Sequence, residues 1–363
     1  NSVTARGAVT EFLRTHPEIE AYCRYMTLRQ QNGNAAWCDW QDLTPDPETL
    51  FAWGFIQYEF FRQWAEIRAY AHKRGVKIIG DVPMYVSYDS ADVFAHPHLF
   101  DLDAKGHPKH VAGVPPDYFA KDGQLWGNPL YRWDEMAKDG YAWWRARIAA
   151  LFDWFDGVRI DHFRALESYW EVPADAKTAR DGKWKKGPGK PFIRALREAA
   201  GDRLLIAEDL GDVTDDVRGL IRYSGFPGMG VLQFAFFGDP KSPHLPYNYP
   251  ENLVAYTGTH DNNTLLGYMW EQDEATRRRI LAYCNYTGEK WDACYDHVLK
   301  TMLASHAGLV IFPLQDLLHY GSDCRMNTPG RAEGNWAWRT TEEQLAGIDW
   351  RRWHEWLELY GRI

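Results

Sequence analysis

Six short apolar segments recur along this chain, and helical patterns separate most of them. The predicted strands cover 76–82, 157–161, 203–208, 229–235, 253–261 and 308–316. Helical spacing of apolar residues fills 141–155, 190–200, 213–223 and 273–284. Strands that alternate with helices form parallel sheets whose two faces are both covered. The chain is therefore predicted to be an α/β protein.

Two α/β architectures fit this alternation, a (β/α)8 TIM barrel and a doubly wound open sheet. Most of the predicted strands end at or near an acidic residue, namely Asp81, Asp161, Glu208, Asp261 and Asp316. Catalytic-type residues at several strand ends are what the top face of a barrel presents. An open sheet normally carries a glycine-rich phosphate turn, and the sequence contains no GxGxxG or GxxxxGK[ST] motif. The pattern favours the barrel, with the open sheet as the competing architecture.

The prediction divides the chain into a helical N-terminal part, 1–75, and a catalytic part, 76–363. The N-terminal part has helical patterns at 8–29 and 47–75, and Gly75 is predicted to end the second helix. Apolar residues at helical spacing in this second helix are predicted to face a core. These residues are Phe60, Phe61, Trp64, Ile67 and Ala71.

Two insertions interrupt the catalytic part, and a further helix is predicted at 341–361. The insertion 87–140 contains paired prolines and several aromatic residues, which is typical of a stiff lid or binding loop. The insertion 170–189 is polar and rich in Gly and Lys, and it is predicted to be a disordered surface loop. Its basic stretch 183–190 is predicted to be solvated.

Charge and composition exclude some classes of function. The 363 residues carry a formal net charge of −9, which argues against a nucleic-acid partner. No apolar run of about 18 residues and no signal peptide are visible, so no membrane segment is predicted. The five cysteines lack metal-site spacing, and reduced thiols in a cytoplasmic protein explain them best. No cofactor is expected.

The stretch 157–166, GVRIDHFRAL, places Arg159 and Asp161 two residues apart on a predicted strand. Side chains at this spacing point to the same face. A neighbouring guanidinium favours the ionised form of a carboxyl, and an ionised carboxylate can act as a nucleophile. A structural ion pair would have the same spacing, so this stretch alone leaves both interpretations open.

Three acidic residues at different predicted strand ends form a candidate catalytic group. Two carboxyl groups across one bond are the requirement for glycosidic bond cleavage. Glu208 follows the apolar run 204–207, and burial would raise its pKa, so Glu208 is predicted to be the acid/base and Asp161 the nucleophile. Asp261, beside His260, is predicted to stabilise developing positive charge.

Asp261 of this group and a fourth acidic residue at a strand end, Asp81, each have a second interpretation. His260 and Asp261 could form a metal pair, but the sequence has no HExxH motif and no second histidine at ligand spacing. Asp81 could accept hydrogen bonds from sugar hydroxyls or cap a loop, since acidic residues at strand ends do both.

The chain resembles the 4-alpha-glucanotransferases known as amylomaltases or disproportionating enzymes, glycoside hydrolase family 77, relatives of the α-amylases. The resemblance rests on stretches that occur in the family's order. They are 79-IGDVPMYVSYDSADVFAHPHLFDLD-103, 113-GVPPDYF-119, 124-QLWGNPLYRW-133, 157-GVRIDHFRA-165, 207-AEDLG-211, 231-VLQFAF-236, 256-YTGTHDN-262 and 325-RMNTPG-330. No single stretch would suffice, but together they are specific.

The resemblance implies transfer of α-1,4-glucan segments between maltodextrins by a retaining, double-displacement mechanism. It implies that Asp161 is the nucleophile, Glu208 the acid/base and Asp261 the transition-state stabiliser. It also implies a set of substrate contacts. These contacts are Arg159, His260, Asp81, Asp117, Gln124, Trp126, Phe234 and Asn327.

The chain departs from the family pattern in two places. Position 263 is Asn where the family usually has Asp, and little effect is expected. Family members also begin earlier, so the six predicted strands would be the third to the eighth of the barrel. Because a barrel without two strands exposes unpaired edges, we expect a fragment, or a second polypeptide that completes it.

Three functions are therefore consistent with the sequence. A glucanotransferase is favoured by the resemblance. An α-glucan hydrolase shares the glycosyl-enzyme step and differs in whether water or sugar reaches it, and a water-excluding lid favours transfer. An inactive, truncated glucan-binding protein is the third alternative.

Overall fold

The computed structural model describes residues 2–116, 121–211, 213–288, 290–331 and 333–363. The chain divides into two compact units, Asn1–Phe226 and Pro227–Ile363. Each unit contains one parallel sheet with helices and a hydrophobic core of its own.

The first unit contains eight α-helices and seven strands among its described residues. Its helices are α1 (Ser2–Thr15), α2 (Pro17–Gln31), α3 (Pro47–His72), α4 (Ala91–Ala95), α5 (Trp133–Lys138), α6 (Ala142–Trp154), α7 (Gly189–Ala200) and α8 (Asp215–Ser224). Its strands are β1 (Ile79–Val82), β2 (His110–Val114), β3 (Gln124–Pro129), β4 (Gly157–Ile160), β5 (Ser168–Pro173), β6 (Lys183–Lys186) and β7 (Leu204–Ala207).

The parallel sheet of this unit has the order β1-β4-β7. Its register aligns Asp81 with Arg159 and Arg159 with Ile206, so these three side chains share one face. The opposite face carries buried apolar residues such as Val158, which belong to the same hydrophobic core as residues of α6 and α7. Because the apolar face must be buried, it determines the register of the strands, and the polar residues therefore lie on the other face.

Position 80, on the packed face of β1, requires glycine because a neighbouring ring leaves no room for a side chain. A Cβ atom at this position would lie 2.2 Å from the ring of Phe155. The close approach holds β1 against the segment that leads into β4.

The two insertions contribute a second, antiparallel sheet with the order β3-β2-β5-β6. The prediction of a disordered loop at 170–189 is therefore wrong, because most of β5 and all of β6 lie in this range. Trp170 and Trp184 are directly opposed in the two strands, with ring centroids 5.1 Å apart. Cross-strand aromatic pairs stabilise antiparallel strands, and this pair offsets the polar composition.

Helix α3 begins where Asp46 accepts a hydrogen bond from the Thr49 amide, and it ends at His72, near Gly75. The prediction that its apolar face is buried is wrong for Phe60 and Ile67, which are 45% and 55% exposed. Phe61 and Trp64 of the same face are half-buried and pack on the rings of Trp154 and Phe155. Helical spacing predicts that a face exists, but it does not tell what covers that face.

The second unit has its own parallel sheet, with the order β8-β9-β10. Its strands are β8 (Gly228–Val231), β9 (Leu253–Tyr256) and β10 (Leu309–Ile311). Its helices are α9 (Leu265–Glu271), α10 (Glu274–Tyr283), α11 (Tyr295–Leu303), α12 (Leu314–Leu317), α13 (Glu342–Ala346) and α14 (Trp350–Leu359). The helix predicted at 341–361 is thus two helices, with Gly347 between them.

All six strands predicted for the catalytic part are present, and they pair in parallel. The predicted strand 308–316 is shorter than expected, because residues 314–316 belong to α12. In the described residues the six strands form two three-stranded sheets and not one closed sheet. The α/β class is confirmed. A separate search of the described residues finds no helix that is long and apolar enough to cross a membrane.

Candidate active site

The parallel sheet of the first unit continues for one residue beyond β4 and β7. The Asp161 amide donates to the Val82 carbonyl, and the Glu208 amide donates to the Ile160 carbonyl, each at 3.0 Å. Ile160 and Ala207 are the last registered pair, so Asp161 and Glu208 are the next two neighbours. Strand alternation places both carboxyl groups on the face that carries Arg159.

Arg159 connects two of the predicted carboxylates. Its guanidinium donates to Asp81 Oδ1 at 2.8 Å and twice to Asp161 Oδ1 at 3.0 Å. Burial opposes its charge, but the charges of Asp81, Asp161 and Glu208 outweigh this effect and raise the pKa of Arg159. The Asp161 side chain is still 43% exposed, so the ion pair leaves it accessible.

Glu208 has a different environment. Its Oε2 accepts from the His162 amide at 2.7 Å, and its Oε1 accepts from the Leu210 amide at 2.8 Å. Burial and then the charge of Asp161 raise the pKa of Glu208 to about 7, against the opposing effects of Arg159 and the two amides. Two neighbouring carboxyl groups thus differ: one is exposed and paired with a guanidinium, and the other gains a proton near neutral pH.

His162 has a role that the sequence did not reveal, although it lies in the central motif. Its backbone adopts the left-handed conformation, with φ of 49°, and this turn presents its amide to Glu208. Its ring centroid lies 4.9 Å from Trp126 and 6.4 Å from Tyr85. Burial lowers the pKa of His162 to about 4, so the ring is neutral at physiological pH.

The predicted contacts Gln124 and Trp126 lie on β3 and contact each other, since Trp126 Nε1 donates to Gln124 Oε1 at 3.1 Å. Trp126 is 38% exposed and packs edge-on against His162, directly after Asp161. This arrangement gives an accessible aromatic surface beside the carboxyl groups. The predicted contact Asp117 lies outside the described residues.

The predicted residues of the second unit form a separate network after β9. Asn327 Nδ2 donates to Asp261 Oδ1 at 2.6 Å, and the ring of His260 lies 3.4 Å from Asp261 Oδ2. The Asn327 amide donates to the His260 carbonyl, and Arg325 donates to the Asp261 carbonyl at 2.5 Å. Arg325 is a positioning residue that sequence reasoning missed, although it begins one of the family-like stretches.

Two further predicted positions lie in this unit. Phe234 follows β8 in a short helical turn, and its ring packs edge-on against His244 at 5.5 Å. Asn263 is buried, and its amide group donates to Glu271 at 2.6 Å and to Ser322 at 2.9 Å. Asn263 is therefore part of the support beneath the Asp261 loop.

The described neighbours of His260 and Asp261 do not form a metal site. Within the described part of the chain, no group of three His, Cys, Asp or Glu side chains is placed to hold a metal ion. The side-chain contacts of Asp261 described above are with an amide and an imidazole.

This arrangement defines a class of enzyme. A parallel α/β sheet that ends in an arginine-paired aspartate and a buried glutamate with a raised pKa carries the groups needed to act on glycosidic bonds.

The comparisons identify the family. The model of the glycoside hydrolase family 77 4-alpha-glucanotransferases matches residues 1–344. The chain is 46% identical to the 4-alpha-glucanotransferase of Synechocystis over 94% of this chain and 70% of the relative, and 40% identical to that of Aquifex aeolicus over 97% and 74%. The chain belongs to the 4-alpha-glucanotransferase family.

Solved structures agree with this assignment. The amylomaltase from Streptococcus agalactiae, in complex with acarbose, superimposes with a TM-score of 0.92 at 34% identity, over 97% of this chain and 74% of that one. The amylomaltase from Corynebacterium glutamicum, 18% identical with a TM-score of 0.72 over 93% of this chain and 52% of that one, shares the fold. The predicted family, enzyme class and glucan disproportionation are confirmed, and the hydrolase alternative is not favoured.

Proposed function

We propose that this chain performs glucan disproportionation by a retaining double displacement, with Asp161 as nucleophile and Glu208 as acid/base. One observation carries the proposal: the two residues directly follow Ile160 and Ala207, the last paired residues of adjacent parallel strands, so alternation directs both carboxyl groups to one face. Adjacent strands lie about 4.8 Å apart. Carboxyl groups about 5–5.5 Å apart favour retention, whereas inverting enzymes need a wider gap for water.

In the first step, the Asp161 carboxylate attacks the anomeric carbon of the donor glucan. The glycosidic bond breaks, and the leaving oxygen takes the proton of Glu208 to become the 4-hydroxyl of the released chain. Glu208 can supply this proton because burial raises its pKa to about 7. Asp161 can attack because its side chain is half-exposed and the Arg159 guanidinium orients it.

In the second step, the Glu208 carboxylate accepts the proton from the 4-hydroxyl of an acceptor glucan. The acceptor oxygen attacks the anomeric carbon, and the bond to Asp161 breaks, which restores both carboxyl groups. A pKa near the working pH lets the same residue donate in one step and accept in the next. The His162 and Leu210 amides favour the ionised form that this step begins with.

The surrounding residues are proposed to hold the sugar rings. Arg159 orients Asp161 and Asp81, and the other carboxylate oxygen of Asp81 can accept a hydrogen bond from a sugar hydroxyl. Trp126, supported by neutral His162, offers an apolar ring surface to a pyranose. Asp261, fixed by Asn327, is proposed to stabilise the positive charge of the transition state.

The barrel architecture is part of the same proposal. We propose that the chain follows the (β/α)8 barrel plan, because its parallel strands alternate with helices and polar residues follow their C-terminal ends. Further roles predicted for Asp117, Gln124, Phe234 and His260 as substrate contacts belong to the same proposal. The cytoplasmic location stays a prediction, and the comparisons do not support completion by a second polypeptide.

Incubation with maltotriose tests the function. We expect glucose together with maltodextrins both shorter and longer than the substrate, whereas glucose and maltose alone would indicate hydrolysis. Asp161→Asn should lower the rate by several orders of magnitude, because it removes a covalent nucleophile. Asp215→Asn is the matched control, since Asp215 also pairs with an arginine but lies on α8. Equal activity of the two variants would refute the assignment of Asp161.

A further inference from the structure

Trp336 combines two features that are unfavourable for a tryptophan in a folded protein. Its side chain is 53% exposed, and its backbone adopts the left-handed conformation with φ of 59°. Bulky residues rarely adopt this conformation, and residues held in it concentrate at functional sites. Neither the strained backbone nor the exposed indole ring stabilises the fold.

The position of Trp336 is fixed by hydrogen bonds to the segment that carries Asn327. The Trp336 amide donates to the Met326 carbonyl at 2.7 Å. The neighbouring Asn335 accepts from the Thr328 amide at 2.9 Å. Asn327, which lies between Met326 and Thr328, donates to Asp261 at 2.6 Å. The strained turn is thus hydrogen-bonded to the same segment whose Asn327 side chain binds Asp261.

The Trp336 ring lies against His260, with centroids 5.2 Å apart and an interplanar angle of 40°. His260 in turn approaches Asp261 at 3.4 Å. An accessible indole ring therefore adjoins the two residues that are proposed to contact the reacting sugar. Trp270 offers a contrast, because it is 67% exposed but lies on the regular helix α9, apart from this network.

We propose that Trp336 is a glucan-binding residue that stacks on an α-1,4-linked glucose unit next to the unit held by His260 and Asp261. The apolar C–H face of a pyranose packs on an aromatic ring, and indole offers the largest such surface. The strained turn positions the ring for this contact. The proposal rests on the assignment of His260 and Asp261 to the substrate site.

Substitutions at position 336 separate the ring from the backbone. Trp336→Asn removes the ring and inserts a residue that tolerates the left-handed conformation. We expect its melting temperature to equal or exceed that of the wild type, and its KM for maltotriose to rise about ten-fold with kcat nearly unchanged, because stacking is equal in ground and transition states. Trp336→Tyr keeps an aromatic ring and should stay within about three-fold of the wild-type KM.

Binding is measured in the Asp161→Asn background, which prevents turnover. Calorimetric titration with maltotetraose should give a Kd about ten-fold higher after Trp336→Asn. The control Trp270→Ala should leave both KM and Kd unchanged.

Wild-type KM and Kd in Trp336→Asn would overturn the proposal, as would equal losses in the Asn and Tyr variants. A failure of the proposed mechanism looks different, since Asp161→Asn would then retain activity whatever residue occupies position 336.

Discussion

The protonation of Glu208 makes a measurable prediction about stability. The pKa of Glu208 is about 7 in the folded protein and near 4.5 without the fold, chiefly because the carboxyl group is buried. Between these two pH values the unfolded chain releases the proton while the folded chain retains it. The stability that Glu208 contributes is therefore complete below pH 4.5 and is lost as the pH rises through 7.

The magnitude follows from the shift. Each pKa unit corresponds to 1.36 kcal/mol, so a shift from 4.5 to about 7 amounts to about 3 kcal/mol. This is an upper value, because solvent still reaches part of the Glu208 side chain.

Glu208→Gln removes the titration. Gln keeps one acceptor oxygen, so one of the amides of His162 and Leu210 loses its partner, which lowers stability by an amount independent of pH. Relative to the wild type, the variant should then gain up to about 3 kcal/mol between pH 4.5 and pH 8. Urea denaturation followed by tryptophan fluorescence at several pH values measures this difference.

The titration of Glu208 can be tested by stability and by activity. A difference between variant and wild type that changes little with pH would mean that Glu208 titrates near its ordinary value, and the acid/base assignment would lose its physical basis. The same profile should appear in activity, with kcat/KM falling as the pH rises through about 7, because Glu208 must be protonated for the first step.

Two other side chains give predictions of their own. Burial opposes the charge of Asp156, but the Ile78 amide with nearby His and Arg groups lowers its pKa to about 2. Asp156→Asn should therefore lower the free energy of unfolding by up to about 2 kcal/mol at neutral pH, and by progressively less as the pH falls from 3.8 to 2. Urea denaturation measures this loss, and an equal loss at pH 2 would contradict the prediction. Asn263→Asp should lower stability by about 2 kcal/mol at pH 7, contrary to the small effect expected from the sequence, because it replaces the donor to Glu271 with a carboxylate. Equal melting temperatures of variant and wild type would refute this role for Asn263.

The sequence predicted the repeating elements well because their signals are local. A strand such as β4 has an apolar face that must be buried, and its alternation determines where Arg159 points. The prediction for α3 failed at Phe60 and Ile67 because the signal is local: spacing defines an apolar face, but the cover of that face depends on other parts of the protein. The hairpin of β5 and β6 was missed because one pair, Trp170 with Trp184, offsets a strongly polar composition.

From the residue pattern alone, the candidate site was predictable only where a residue lies at a strand end, whereas Trp126 and Asn327 were predicted from the family resemblance. Asp161 and Glu208 follow directly from the alternation of β4 and β7. The amide of His162 and the ring of Trp336 depend on left-handed backbone turns, which a residue other than glycine does not signal in the sequence. These turns are visible only after the surrounding hydrogen bonds are known.

Asp316 shows most clearly what the strand-end pattern leaves undecided. Like Asp161, it follows an apolar strand, and the sequence treats the two alike. Asp316 is fully buried, however, and its oxygens accept from Thr257 at 2.5 Å and from the Leu265 amide at 2.8 Å. Burial raises its pKa to about 6. A raised pKa in a carboxyl group therefore does not by itself indicate catalysis, because Asp316 has no accessible oxygen to offer a substrate. The assignment of Glu208 depends on Asp161, which follows the adjacent strand, is half-exposed and can reach a sugar.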